Sequence, residues 1–430
     1  VSVLPDKEMH FFTSKRFFPL FITQFLGAFN DNVFRQAILI LIAFRFAEEL
    51  HVATPILTNL AVGLFILPFF IFSALAGQLA DKYEKSTQIV WIKIWEIALM
   101  ILGTAAFYIE SLPLMIAILA GLGLQSTFFG PIKYGILPDL MRRDELLKAN
   151  ALIEASTFIA MLTGTIIGGI YIIGEGGLMQ ISAFMIIIAI LGTVSGWFVP
   201  NTGRADPDLK IQFNIFRSTQ ELLKKSWANE ISRRAIICIS WIWLLGTLFI
   251  AQIPDIVKNH LGGDEDIVTL FMASFSIGIG FGSILCSRLL KGEITAKLAV
   301  PGLITLALVS ALLFATVSGV KPNMAVQSLP QFLSEPMNII ITILLITIAV
   351  ATGVVVVPLY AVLQDRSERS ERSRIMAANN IVNSGFMAGG SLVAAALIGF
   401  GITSAQVLLL TGLINLLFLP VVRRLRASLD

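Results

Sequence analysis

The chain has 430 residues, of which 56% are hydrophobic and 14% charged, where soluble domains carry about 25% charged residues. Apolar runs of about twenty residues recur from end to end, so the composition excludes a sizeable soluble domain and defines a polytopic membrane protein. A net charge of +3 spread over short loops gives no footing for nucleic acid, and two cysteines with three scattered histidines offer neither a disulfide framework nor a metal cluster.

The apolar runs predict twelve membrane-spanning helices, over residues 17–46, 55–80, 87–110, 112–139, 146–174, 177–199, 232–259, 266–289, 294–318, 337–362, 374–399 and 402–422. A glycine-rich turn at Gly174–Gly177 joins the fifth and sixth. No cleavable leader is expected, because the first residues are polar and the run from Phe17 is too long for one. Span one contains the stretch Gln24-Phe-Leu-Gly-Ala-Phe-Asn-Asp-Asn-Val-Phe-Arg35. Asp31 lies about 21 Å along this helix from Phe17, near the bilayer interior. An ionisable group at that depth is expensive unless it faces protein or a water-filled cavity, so it points to function. Gln24, Ala28, Asp31 and Arg35 fall within about 60° of arc and form one narrow polar stripe, and Asn30, next to Asp31 in the sequence, is a further candidate for the site. The alternative is an Asp31–Arg35 pair that satisfies only itself.

After span two comes Gly77-Gln-Leu-Ala-Asp81-Lys82-Tyr-Glu-Lys85. It resembles the Gly-x-x-x-Asp-Arg-x-Gly-Arg signature of the major facilitator transporters, with Glu84 in place of the second glycine. The glycine permits close helix approach, and the aspartate is suited to receive helix N-termini and basic groups. Gly77, Asp81, Lys82 and Lys85 are therefore expected to act in gating and packing. The corresponding stretch Gly282-Ser-Ile-Leu-Cys-Ser-Arg288 has lost the acid. Within span three, Lys93 and Glu96 are i, i+3 neighbours with a structural local pairing as the expected role. Lys133 in span four and Glu154 in span five lie at similar depths, about 10 and 12 Å from one membrane face, with Asn150 a turn away. They form either a permanent salt bridge or a pocket for a zwitterionic or anionic head group. The small-residue motifs Gly164-x-x-x-Gly168 and Gly385-x-x-x-Gly389 allow close helix contact.

Residues 201–231 read as a linker containing an amphipathic helix on Phe213, Phe216, Gln220, Leu223 and Trp227, lying on the membrane surface. It divides the chain into an N-terminal six-helix bundle, 1–200, and a C-terminal one, 232–430. The second bundle is nearly uncharged within its spans, and Gln252, Asn379, Asn380 and Asn383 are its main polar groups. Charge on one wall and amides on the other suit an amphiphile better than a sugar. The halves echo one another: Ala149-Asn-Ala-Leu-Ile-Glu-Ala-Ser156 aligns with Ala378-Asn-Asn-Ile-Val-Asn-Ser-Gly385. Parallel six-helix repeats are the plan of the major facilitator fold. Of the 31 Lys and Arg, 25 fall on the side of the N-terminus, with Lys258 and Lys321 opposite, where acidic residues such as Glu110, Glu175 and Asp264 gather. The positive-inside rule then places both termini in the cytoplasm.

Gln24-Phe-Leu-Gly-Ala-Phe-Asn-Asp-Asn32, Gly130-Pro-Ile-Lys-Tyr-Gly-Ile-Leu-Pro-Asp-Leu140, Leu147-Lys-Ala-Asn-Ala-Leu-Ile-Glu-Ala-Ser-Thr157 and Val357-Pro-Leu-Tyr-Ala-Val-Leu-Gln364 together resemble the bacterial lysophospholipid transporter family. The resemblance implies a monomeric flippase of the bacterial inner membrane. It would carry lysophosphatidylethanolamine and lysophosphatidylglycerol from the outer to the inner leaflet by alternating access, without a cofactor. A cytoplasmic acyltransferase and acyl-carrier-protein synthetase, fused or separate, would then restore the second acyl chain. The Phe-Asn-Asp-Asn sequence and Tyr360 are closer to the fused members. A proton-coupled carrier of another hydrophobic or anionic molecule is the alternative. A lipid enzyme is disfavoured, since the residues supply no nucleophile with its base.

Overall fold

The computed structural model of the chain describes residues 11–51, 54–173, 176–320 and 326–429. Gly174, Glu175 and Lys321, which figured in the turn and loop expectations, and His10 lie outside the described residues. In a bilayer every backbone donor and acceptor must be satisfied within the segment, which drives apolar runs of this length into unbroken helices. Among the described residues twelve helices are long and apolar enough to span: Phe18–Glu49, Ile56–Lys82, Lys85–Tyr108, Leu112–Leu140, Leu146–Ile172, Gly177–Trp197, Glu230–Leu261, Glu265–Leu290, Ala299–Gly319, Pro336–Asp365, Arg372–Gly399 and Ser404–Ala427. They are spans one to twelve below. Among the described residues the only strand-like feature is a single bridge between Gly263 and Gln327.

Short loops start the next helix with side-chain caps. The Glu84 carboxylate accepts from the Thr87 N–H at 2.7 Å, and Asp264 accepts from the Ile267 N–H at 3.2 Å. Thr403 and Gln406 form a reciprocal capping box before span twelve. Some spans outrun their predicted ends. Spans one and seven continue through π-helical turns at Ile42–Phe46 and Ile256–Leu261. In span seven Pro254 removes a backbone donor just ahead of that wider turn. Span twelve contains a 3-10 turn, Asn415–Phe418, ahead of Pro420, and the helix Leu419–Ala427 then carries it past 422.

The chain forms two compact units, Val1–Ala149 with Ile159–Ala228 and Ser367–Ile381, and Asn150–Phe158 with Asn229–Arg366 and Val382–Asp430. In the first, Val33, Phe34, Ile38, Phe107, Leu119 and Met185 lie at the centre of an apolar core. Spans two and four approach so closely that a Cβ on Gly123 would overlap the Phe65 carbonyl. In the second unit spans eight and ten meet in the same way, with Gly282 against the Val350 carbonyl and Gly353 against that of Ile279. Each pair packs backbone to backbone through glycine, which suits a bilayer, where helices gain little from burying apolar side chains. Gly123→Val is expected to prevent spans two and four from docking and to abolish the monodisperse gel-filtration peak in detergent. Gly63, where an added Cβ would meet no atom within 4 Å, is the control position at which alanine leaves the peak intact.

The linker forms a helix, Ile215–Ala228, whose buried residues are Ser218, Leu222 and Ser226. This face lies against span two, and Gln78 Nε2 donates to Ser218 Oγ at 2.5 Å. The predicted apolar stripe is a different face. Phe213, which precedes the helix, and Phe216 are exposed, at 74% and 89%, because Phe216 lies about 120° around the helix from the packed face.

Candidate functional site

Span one buries Gln24, Asn30, Asp31 and Asn32 in the first unit. Asn30 Nδ2 donates to Glu96 Oε1 at 3.1 Å and to the Met185 carbonyl at 3.2 Å. Glu96 is paired with Lys93 and accepts from Gln125 Nε2 at 3.2 Å. The Lys93 ammonium is accommodated by two glycines: a Cβ would lie 3.2 Å from Nζ at Gly27 and 2.9 Å at Gly192. Lys93 and Glu96 are thus enclosed by partners on spans one, three, four and six, as a buried ion pair must be to survive desolvation. This is the structural local pair that the i, i+3 spacing suggested.

Asp31 and Arg35 take different partners instead of each other. Ser126 Oγ in span four donates to Asp31 Oδ2 at 2.6 Å. The second oxygen, Oδ1, is buried and has no hydrogen-bond partner among the described residues. Arg35 donates to Asn32 Oδ1, and its guanidinium carbon stands 5.9 Å from the centre of the Phe65 ring in span two. A carboxylate and a guanidinium one turn apart are therefore held separately, the first by a hydroxyl and the second by an amide and an aromatic face. The self-satisfied pair does not form.

Lys133 holds its ammonium 4.5 Å from the centre of the Tyr134 ring and belongs to the first unit, whereas Glu154, fully buried, belongs to the second. In the second unit Asn150 and Gln364 exchange two amide hydrogen bonds, of 2.6 and 3.0 Å. Ser240 donates to Asn383 Oδ1 at 2.6 Å, and Trp243 Nε1 donates to the Tyr360 hydroxyl at 2.9 Å. Gln252 is buried in span seven and Asn379 in span eleven. Gln364 and Ser126 are partners that the sequence does not announce; neither carries a charge, so nothing in the pattern singles them out.

The signature after span two forms a second polar centre in the first unit. Asp81 is completely buried and accepts from the backbone N–H groups of Ser373 and Arg374, at 2.9 and 3.1 Å, and from Arg374 Nε at 3.0 Å. The start of span eleven thus sits on this carboxylate, where its unsatisfied N–H groups and positive helix end favour an anion. Gly77 makes the approach feasible: a Cβ there would lie 2.7 Å from that of Ala377 and 2.9 Å from the Arg374 Cα. Arg374 also reaches Asp206 in the linker at 2.9 Å, and Lys82 donates to the Leu209 carbonyl at 2.8 Å. Lys85 pairs with Asp139 at 3.4 Å, and Asp139 also takes Arg372 at 2.9 Å and Arg369 at 3.4 Å. Lys225 pairs with Glu371. The sequence signal for these contacts is the run of arginines from Arg366 to Arg374, which the charge count uses only for topology.

Glu84, the departure from the signature, caps span three and binds the linker. Its carboxylate accepts from Ser86 Oγ at 2.6 Å, from the Thr87 N–H, and from the Thr202 N–H at 3.1 Å. Burial alone would raise its pKa, but the hydrogen bonds from Ser86, Thr87 and Thr202 outweigh it and hold the group below its usual range. A depressed carboxylate stabilises the fold above its unfolded pKa, about 4.3, and that contribution fades as pH falls through the lower folded value. Glu84→Gln is expected to lower the melting temperature at pH 7, with the gap to wild type closing below about pH 4.

Among the described residues twelve helices are long and apolar enough to span a membrane, and the family model of the Major Facilitator Superfamily, a class of membrane transporters, matches residues 20–390; the chain belongs to that superfamily. Within it the chain is 28% identical over 359 residues to the lysophospholipid transporter LplT of Escherichia coli (strain K12 / DH10B), covering 83% of this chain and 82% of the relative. LplT of Shigella boydii serotype 4 matches to the same extent. Among solved structures, the human organic anion transporter MFSD10 (TETRAN) superposes with a TM-score of 0.74 at 13% identity, over 97% of this chain and all of that one. A bacterial homologue of the iron transporter ferroportin, in its outward-facing state, gives 0.69 at 12% identity, over 95% of this chain and 99% of that one. At such identities the likeness is one of fold.

Proposed function

We propose that the chain is a lysophospholipid transporter of the bacterial inner membrane, moving lysophosphatidylethanolamine and lysophosphatidylglycerol from the outer to the inner leaflet by alternating access. The carrying observation is the 28% identity to lysophospholipid transporters over 83% of the chain. In this reading two six-helix bundles, residues 1–200 and 232–430, are joined by the linker, and both termini are cytoplasmic. The head group enters beside the polar stripe of span one, where Gln24, Asp31 and Arg35 lie, while the acyl chain stays against apolar surface. Asp81, with the start of span eleven, stabilises one state of the cycle, and substrate permits exchange with the other. A cytoplasmic acyltransferase consumes the product, and the transporter acts as a monomer.

The test is uptake of labelled lysophosphatidylethanolamine by spheroplasts that lack their own importer and express this chain. Uptake above the empty-vector level is expected. None from a well-inserted chain would overturn the reading. The open oxygen of Asp31 also favours a second reading, in which this carboxylate carries a proton coupled to another hydrophobic or anionic substrate. Collapsing the proton gradient stops such a carrier and leaves an uncoupled flippase running.

A further inference from the structure

Asp31 is a buried carboxylate, only 8% exposed, whose two oxygens have different fates. Oδ2 receives the Ser126 hydroxyl at 2.6 Å, while Oδ1 has no partner among the described residues. An unsatisfied buried acceptor costs about 1–3 kcal/mol, more for a charged group, so an oxygen left open in this way suits a ligand that supplies the missing donor. A primary ammonium is that ligand group: it brings three donors, no acceptor and the opposite charge. One turn further along, about 6 Å on the helix axis, the Arg35 guanidinium commits one donor to Asn32 and rests over Phe65. Its other N–H groups are of the kind that bind phosphate. Acid and base, held apart by Ser126 on one side and by Asn32 and Phe65 on the other, match a zwitterion with an ammonium and a phosphate at neighbouring positions.

We infer that Ser126 is a positioning residue: by holding Oδ2 of Asp31 it leaves Oδ1 for the primary ammonium of a phosphoethanolamine head group, and so sets the preference for that head group over an anionic one. The inference rests on the lysophospholipid reading and deepens it. Ser126 touches no substrate itself. Without its hydroxyl the carboxylate rotates to other donors, Arg35 foremost, and the open acceptor is lost. A head group that lacks an amine does not depend on that oxygen in the same way.

The experiment measures initial uptake rates against concentration in importer-deficient spheroplasts for three labelled lipids. These are lysophosphatidylethanolamine, its N-acetyl derivative, in which the ammonium is abolished, and lysophosphatidylglycerol. Ser126→Ala is expected to raise KM for lysophosphatidylethanolamine about tenfold relative to that for lysophosphatidylglycerol, as the loss of one hydrogen bond to a charged group predicts. The N-acetyl lipid, compared with lysophosphatidylglycerol, shows no such change. Ser126→Thr, which retains the hydroxyl, restores the wild-type ratio. An unchanged ratio in a well-inserted Ser126→Ala protein, or an equal KM increase for all three lipids, overturns the inference while leaving the transport reading intact. A wild-type chain that moves none of the three overturns the transport reading itself.

Discussion

Replacing Asp31 with asparagine is expected to reduce lysophosphatidylethanolamine uptake about 100-fold, with membrane insertion and the gel-filtration profile unchanged. The substitution conserves shape but removes the only carboxylate on the stripe of span one, together with the acceptor character of one of its oxygens. The Ser126 hydroxyl keeps an acceptor when the amide oxygen faces it, so the contact between spans one and four survives. The charge is absent from the packing core around Val33, Phe34 and Ile38, so folding is expected to tolerate its loss. Asp31 is therefore costly to the membrane helix and unnecessary to its packing, the combination expected of a group kept for transport. Uptake by importer-deficient spheroplasts, normalised to inserted protein, decides the matter. Full transport by the variant would remove Asp31 from the mechanism.

Asp81→Asn is expected to be the most damaging single change at the other polar centre, costing about 3 kcal/mol in stability and lowering uptake by about tenfold or more. The buried carboxylate compensates two backbone N–H groups and one guanidinium. An asparagine turns an amide NH2 toward some of those donors and leaves Arg374 with a weaker partner. Because two of the three bonds come from the backbone of span eleven, the charge swap Asp81→Arg with Arg374→Asp is not expected to rescue transport. For the same reason Arg374→Ala, which keeps both backbone bonds, is expected to cost less than Asp81→Asn. Melting of the three purified proteins in detergent ranks them directly. A swap variant that melted like wild type would show that the guanidinium pair, not the helix terminus, carries the contact.

Much of the fold was legible because the bilayer imposes it. A chain with 14% charged residues and repeated apolar runs has few ways to satisfy its backbone except as spanning helices. Asp31 was legible for a related reason: a carboxylate placed deep in such a run is conspicuous against the cost of putting it there. Gly77 and Asp81 were legible as a spaced motif, and the structure supplies what the motif receives, the N-terminus of span eleven. The partner assignments were less accessible. The local rule pairs Asp31 with Arg35, yet Ser126 and Asn32 divide them. The linker helix is amphipathic, as the stripe of Phe213 and Phe216 suggests, but the face that packs on span two is made of Ser218, Leu222 and Ser226.

By itself, then, the sequence determined the spanning helices, the place of Asp31 along its helix and the glycine–aspartate signature, since each follows from composition and from spacing along one helix. Only the tertiary structure decided that Ser126 holds Asp31, that Gln364 meets Asn150, and that Asp81 receives residues 292 and 293 positions away. Hydroxyls, amides and backbone N–H groups are abundant in every helix and carry no mark of their future partner. Their roles arise when close packing, opened by glycines such as Gly77 and Gly123, brings particular donors within reach of particular acceptors.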